Sequence, residues 1–267
     1  MPSSTKHTTR ESAPLPCWHQ ALTKPQGSFH RATFAAWLLM TALALAVAQP
    51  VAYRGVPGGA TWQAGDFAAA YQEAIQVDTA AAQLLASRAA TDQAVYLENE
   101  SAPALAWLNR ATVAAQLSHD LDPTGPLAAA ATMAAARAKG EAGFHQGAFA
   151  KAFLPGELQK LFERALELDP DNAYALVSYA AWHFALTEIG VGWLFGADRS
   201  QVLPLMERGV AAAPRQINLR VEYARVLFAL GRRAEALEQV DTALALPVRT
   251  AADRFEQARA RDLPSSP

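Results

Sequence analysis

Val202-Leu-Pro-Leu-Met206-Glu207-Arg208-Gly209 and Ala236-Leu-Glu-Gln-Val240-Asp241-Thr-Ala243 are one half-unit written twice, 34 residues apart from Gly209 to Ala243. A third copy lies upstream as Leu158-Gln-Lys-Leu-Phe162-Glu163-Arg164-Ala165, with Ala165 44 residues before Gly209, the same period plus an insertion of ten. Each copy ends in a small residue, where a neighbouring helix can approach closely. A proline follows four or five residues later, at Pro170, Pro214 and Pro247, and stops the helix. A period of 34 is that of a helical hairpin repeated along the chain, so the fold is read as all-α.

Composition agrees. The chain has 267 residues, 51% of them hydrophobic, and its apolar content is dominated by alanine, the residue with the highest helix propensity. Net charge is −2, without a basic stripe, which argues against a nucleic-acid partner. The single cysteine, Cys17, cannot form an internal disulfide.

Residues 1–31 read as a disordered basic leader, with Lys6, Arg10, Lys24 and Arg31 against one acid, Glu11. Residues 32–48 carry no charge and end in Ala46-Val47-Ala48, a small-x-small pattern. A basic flank before an apolar run is a signal peptide cleaved near Ala48, or a membrane anchor if it is retained. Either way the remainder is expected in the periplasm, released or held at the inner membrane, with membrane contact only through 32–48. Without residues 1–31 the chain keeps 19 bases against 24 acids, or −5.

After a Pro57-Gly58-Gly59 loop, residues 49–101 read as a divergent helical pair, with helices over 67–76 and 79–95 and Asp66 as a cap. Residues 102–263 hold the repeats. A helix over 103–119, capped by Ser101, ends at Pro123, and three units begin near Gly125, Ala173 and Ile217. Gly140 and Gly231 fall where the turn between paired helices belongs. Leu176, Tyr179, Ala180 and Leu186, then Leu219, Tyr223, Ala224, Leu227 and Leu230, recur at helical spacing and are expected inside. Thr250-Ala-Ala-Asp253 spells a capping box for a charged last helix, expected as a solvent-facing end cap.

Across roughly 104–263 the chain resembles bacterial tetratricopeptide-repeat proteins. Ala181-Trp182-His183, Leu194-Phe195-Gly196-Ala197 and Glu222-Tyr223-Ala224 resemble an exported proteobacterial subgroup. A more distant similarity is to the helical accessory component of tripartite periplasmic transporters. The resemblance implies a helical-hairpin solenoid, preceded here by the signal peptide or signal anchor. It also implies a concave groove lined by the first helix of each pair, holding a protein or peptide partner. Carried onto this sequence, the groove positions are Tyr174, Val177, Ala181 and Phe184, then Asn218, Val221, Arg225 and Phe228, with Asn218 and Arg225 as polar anchors.

Two insertions, near 140–156 and 187–198, are rich in aromatics and glycine: Phe144, Phe149 and Phe153 in one, Trp193, Leu194 and Phe195 in the other. In a stack of hairpins, equivalent loops emerge on one edge, so the two are expected to adjoin. They either brace the repeats or leave Trp193 or Phe149 exposed as a seat for a ligand, partner or membrane.

No P-loop, G-x-S-x-G or paired-histidine zinc motif occurs, and His119, His145 and His183 stand apart from one another. The sequence therefore reads as a non-enzymatic exported scaffold for protein or peptide binding, with no cofactor and no metal. The alternative is a small-molecule or lipid-binding accessory protein. Export is tested directly: alkaline phosphatase fused after residue 60 is expected to be active, and an inactive cytoplasmic fusion overturns the assignment.

Overall fold

Side chains that accept backbone N–H bonds mark several helix starts. Asp66 accepts from Ala69 N–H at 3.1 Å, Thr79 from Ala82 at 3.3 Å and Asn172 from Ala175 at 3.0 Å. Thr250 and Asp253 form the reciprocal capping box that their spacing predicts. The computed structural model describes residues 53–146 and 148–263, the side chains of 148–152 excepted. The basic leader and the uncharged 32–48 segment lie outside these residues. No helix among the described residues is long and apolar enough to cross a membrane.

The described chain is all-helical. Its helices are α1 (Gly59–Ala64), α2 (Phe67–Ile75), α3 (Ala80–Tyr96), α4 (Ser101–Leu121), α5 (Ala128–His145) and α6 (Ala148–Leu168). They continue as α7 (Ala173–Glu188), the short α8 (Gly192–Phe195), α9 (Val202–Ala212), α10 (Ile217–Ala229), α11 (Arg233–Ala245) and α12 (Ala251–Asp262). Glu100, not Ser101, is the residue before α4, and it makes no side-chain cap bond.

The helices pack as consecutive pairs: α1 with α2, α3 with α4, α5 with α6, α7 with α9 and α10 with α11. First members of successive pairs also meet, α3 with α5, α7 with α10 and α10 with α12. These first members are the buried ones. Along α5 and α7 nearly every residue is enclosed, whereas α4 leaves Val113, Leu117 and Leu121 exposed. The main apolar core joins α5 to α11 through Leu158, Phe162, Trp182, Phe184, Met206 and Leu227.

The three small residues of the repeated half-unit, Ala165, Gly209 and Ala243, are all buried. Gly209 shows why size matters there. A Cβ on it would lie 2.6 Å from Val177 Cγ2 and 3.0 Å from the Ala173 carbonyl oxygen.

Two readings are corrected. Gly140 is not a turn: α5 runs through it to His145 and α6 starts at Ala148, so the first insertion is absorbed as added helix. An alanine-rich flank propagates helix past one glycine at a cost of only about 1 kcal/mol. Nor is α12 a solvent-facing end cap. Phe255 stacks on Tyr96 of α3 (centroids 4.7 Å apart, planes at 5°), and both rings neighbour Phe67 of α2. Arg254 Nη2 donates to the Ala64 carbonyl at 3.4 Å, and Gly65 lies so close that a Cβ would be 2.8 Å from Ala251 Cβ. The last helix thus returns to the first three, and the array closes on itself.

Gly209→Ala is expected to destabilise the fold by about 1–3 kcal/mol in urea denaturation, because the clash with a rigid β-branched neighbour exceeds the roughly 1 kcal/mol of helix propensity gained. An unchanged or raised midpoint would show that α7 and α9 are not held this tightly.

Candidate functional site

Four of the inner helices each place an acid–base pair at helical spacing on the inner side: Arg88 and Asp92 on α3, Arg137 and Glu141 on α5, Glu222 and Arg225 on α10, Glu256 and Arg259 on α12. Residues three or four apart share a helix face, so each pair projects as a unit. Pair formation alone would leave four exposed ion pairs. Instead Asp92 is 1% exposed, Arg137 3% and Glu141 8%, and Glu222 and Glu256 are equally deep.

Asp92 is the best-satisfied acid. Its Oδ1 accepts from Arg137 Nη1 at 2.7 Å and its Oδ2 from the Trp62 indole N–H at 2.8 Å, while Arg88 Nε lies 3.7 Å away. Arg88 also covers the Trp62 ring at 4.4 Å, and Tyr53 meets that ring edge-on at 5.6 Å. Glu222 pairs with Arg225 of its own helix, and burial raises its pKa against that pairing. Glu256 accepts from the Tyr96 hydroxyl at 2.6 Å and from Arg259 at 2.9 Å. Burial, with Glu256 beside it, pushes the Tyr96 phenol well up.

Glu141 is the acid left over. Its helix-mate Arg137 has been drawn to Asp92, and Glu141 Oε1 is buried with no hydrogen-bond partner among the described residues. Arg137 Nε and Arg225 Nε are likewise buried and unpartnered. Desolvation pushes the Glu141 carboxyl up to about 7, although Arg137, Arg259 and Arg225 lie within electrostatic range and oppose the shift; Glu256 adds to it. The interior is therefore charge-balanced but unevenly satisfied: Asp92 has two arginines, and Glu141 has no hydrogen bond from any.

The expected groove residues fall on this same inner stripe, but most are covered by the chain's own helices. Tyr174, Val177, Ala181 and Phe184 of α7 are fully buried, and Val221 packs with Ile217, Ala243 and Ala260. The Tyr174 hydroxyl donates to Gln216 at 2.9 Å, and burial pushes the phenol up. Phe228 is partly buried under Arg233, whose guanidinium lies 5.6 Å from its ring. Arg225 is the one expected residue that belongs to the ionic cluster. The other seven charged members were missed, although one acid–base pair per alanine-rich inner helix was a visible signal.

The two insertions do adjoin. A Cβ at Gly156 of α6 would lie 3.9 Å from Phe195 Cε1, and the Trp182 indole donates to the Pro155 carbonyl at 3.0 Å. The α8 turn is tightly built: the Asp198 N–H donates to His183 Nδ1 at 3.0 Å, and Gly190 and Gly196 take left-handed conformations (φ 77° and 70°). Phe195 packs on the core and Phe144 is half-buried, whereas Phe153 is 59% and Trp193 79% exposed, with Leu194 beside it. The Phe149 side chain lies outside the described ones.

Glu141 yields a pH test. Its carboxyl sits near 4.5 without perturbation and about 7 here, so the folded state binds the extra proton and stability falls as pH rises between those values. Above that window the folded chain carries the cost of a carboxylate with one oxygen, Oε1, buried and unbonded. Glu141→Gln is expected to stabilise the protein at pH 8 by about 1–3 kcal/mol and to change little at pH 5. Equal effects at both pH values in urea denaturation would overturn the assignment.

A scan against protein-family models gives no match for this chain, and a search of curated proteins gives none either.

Proposed function

We propose that this chain is a non-enzymatic, exported binding protein of tetratricopeptide type, whose closed helical array holds a small polar molecule at its ionic interior. The observation that carries the reading is the set of four buried acids on the inner faces of α3, α5, α10 and α12, with Arg137 buried beside them and Arg88, Arg225 and Arg259 partly buried. Burying charge costs several kcal/mol per ion, and a chain that only had to close could do so with apolar side chains. Leaving Glu141 and two arginine Nε groups unbonded inside such a cluster adds a further cost, which a ligand would offset. The paired helices and the 34-residue period support the repeat type, and the basic flank before 32–48 supports export. Nothing in this reading requires a cofactor or a metal.

A second reading, docking of a protein partner, is favoured by the rim. A four-residue helix held by two left-handed glycines and a histidine presents Trp193 and Leu194 outward, and order spent on exposing apolar surface marks an interaction site. The inner stripe from Tyr174 to Phe184 serves that reading less well, because the chain's own helices already cover it.

Native mass spectrometry of gently purified full-length protein separates the two. A small co-purifying mass, lost in Arg225→Ala and kept in Trp193→Ser, is the expected result. A ligand-free mass, together with a partner cross-linked from position 193, would replace the first reading by the second.

A further inference from the structure

The α8 turn is fixed at its two ends by different means. At its start the backbone holds it: the Val191 N–H donates to the Leu186 carbonyl at 3.1 Å and the Gly190 N–H to the Thr187 carbonyl at 3.2 Å, which closes α7. At its end the hold is a side chain. The Asp198 N–H donates to His183 Nδ1 at 3.0 Å. The Asp198 carboxylate accepts from the Ser200 N–H at 2.8 Å and the Ser200 hydroxyl at 2.7 Å, where the chain turns towards α9. Asp198 thus joins the turn to α7 through its backbone and caps the approach to α9 through its side chain. The His183 ring is buried, with Tyr179 4.4 Å and Trp182 5.0 Å from it between ring centroids.

From this arrangement we infer that His183 is a proton-operated latch: neutral, it holds the 190–198 turn and with it the exposed Trp193–Leu194 pair, and protonated, it releases them. The inference rests on the rim reading proposed above only for what the exposed pair does, and it adds how that surface is regulated. The chemistry is that of one nitrogen. A backbone N–H can only donate, so Nδ1 must offer a lone pair and the neutral ring must carry its proton on Nε2. Imidazolium has two N–H groups and no acceptor, and turning the ring over does not restore one. Protonation therefore sets one N–H against another and leaves the Asp198 amide without its partner.

The titratable groups that face the ring are Tyr179 of its own helix, Glu163 of α6 and Asp198 of the turn. Burial holds the His183 pKa below the ordinary 6.5, against the carboxylates of Asp198 and Glu163, which favour the imidazolium. Tyr179 is pushed up to about 12, mainly by burial, and Asp198 is held low by its bonds to Ser200, so neither changes charge between pH 7.5 and pH 5. The latched state binds fewer protons than the released one. Its hold is complete above 6.5 and is lost as pH falls below that value. The Glu188–Arg199 ion pair also links α7 to the foot of the turn, but it is partly exposed and contributes little.

The test is hydrogen–deuterium exchange of the full-length chain at pH 7.5 and pH 5, read as protection factors, which remove the intrinsic pH dependence of exchange. Amides of 190–198 are expected to lose about tenfold in protection at pH 5, the worth of one hydrogen bond, while those of α7 and α9 keep theirs. His183→Asn, whose amide oxygen can accept the Asp198 N–H at either pH, should keep the turn protected at both. His183→Phe, which keeps a ring and has no acceptor, should leave the turn unprotected at both. Equal protection at the two pH values in the unaltered chain overturns the inference. So does a loss that persists in His183→Asn, which would place the titrating group elsewhere. Exchange needs no partner, so failure to cross-link a partner from position 193 at pH 7.5 removes the rim reading and leaves the latch standing.

Discussion

Asp92 is the point on which the interior depends. It is a carboxylate almost without solvent contact, and it holds groups from three helices: the Trp62 indole of α1, Arg88 of its own α3 and Arg137 of α5. A lone buried carboxylate would lose its charge or unfold the chain around it, so its partners are obligatory. Once Arg137 is committed to Asp92, Glu141 loses the partner that its own helix offers. Every unusual feature of the inner face follows from that one allocation. The short α1, which would be marginal as an isolated turn of helix, is fixed by the same bond.

Closure follows from where the remaining charges sit. Helices α3 and α5 read arginine before acid, and α10 and α12 read acid before arginine. The ion pairs lie within a helix, at Glu222–Arg225 and Glu256–Arg259, or between α3 and α5, at Asp92–Arg137, and the Tyr96–Glu256 hydrogen bond joins the first set of helices to the last. At the joint itself Tyr96 does both kinds of work: its ring stacks on Phe255 and its hydroxyl reaches Glu256. A stack of helical pairs ordinarily leaves two ends, each with an apolar stripe that needs a cap. Here each end covers the other, which explains why a helix as charged as α12 still buries Glu256, while Gln257 is buried against α11, donating to the Ala243, Leu244 and Leu246 carbonyls.

How much of this was legible follows from the kind of signal each feature leaves. The Ala165, Gly209 and Ala243 positions, the caps at Asp66, Asn172 and Thr250, and the apolar faces of α7 and α10 are local, and local spacing is what sequence displays. The α1 turn was not read, because Gly-Ala-Thr-Trp-Gln-Ala has no cap and no full amphipathic period. Gly140 was misread because a glycine inside an alanine helix looks the same as one between helices. Closure was invisible for a deeper reason: it depends on the accumulated rotation from one pair to the next, which no single residue encodes. Arg225 was singled out for its place on the inner stripe, and there it pairs with Glu222 of its own helix.

The same constraint separates the two candidate surfaces by cost. At the rim, Trp193 and Leu194 expose apolar area, a penalty that a soluble protein tolerates at small patches. In the interior, Glu141 keeps one carboxyl oxygen buried and unbonded, and desolvation raises its pKa, so its ionisation opposes the folded state. A purely structural interior would be improved by glutamine or an apolar residue at 141, without loss of packing. Closure itself rests on the Tyr96–Phe255 stack and the Tyr96–Glu256 hydrogen bond, which tie the last helix to α3.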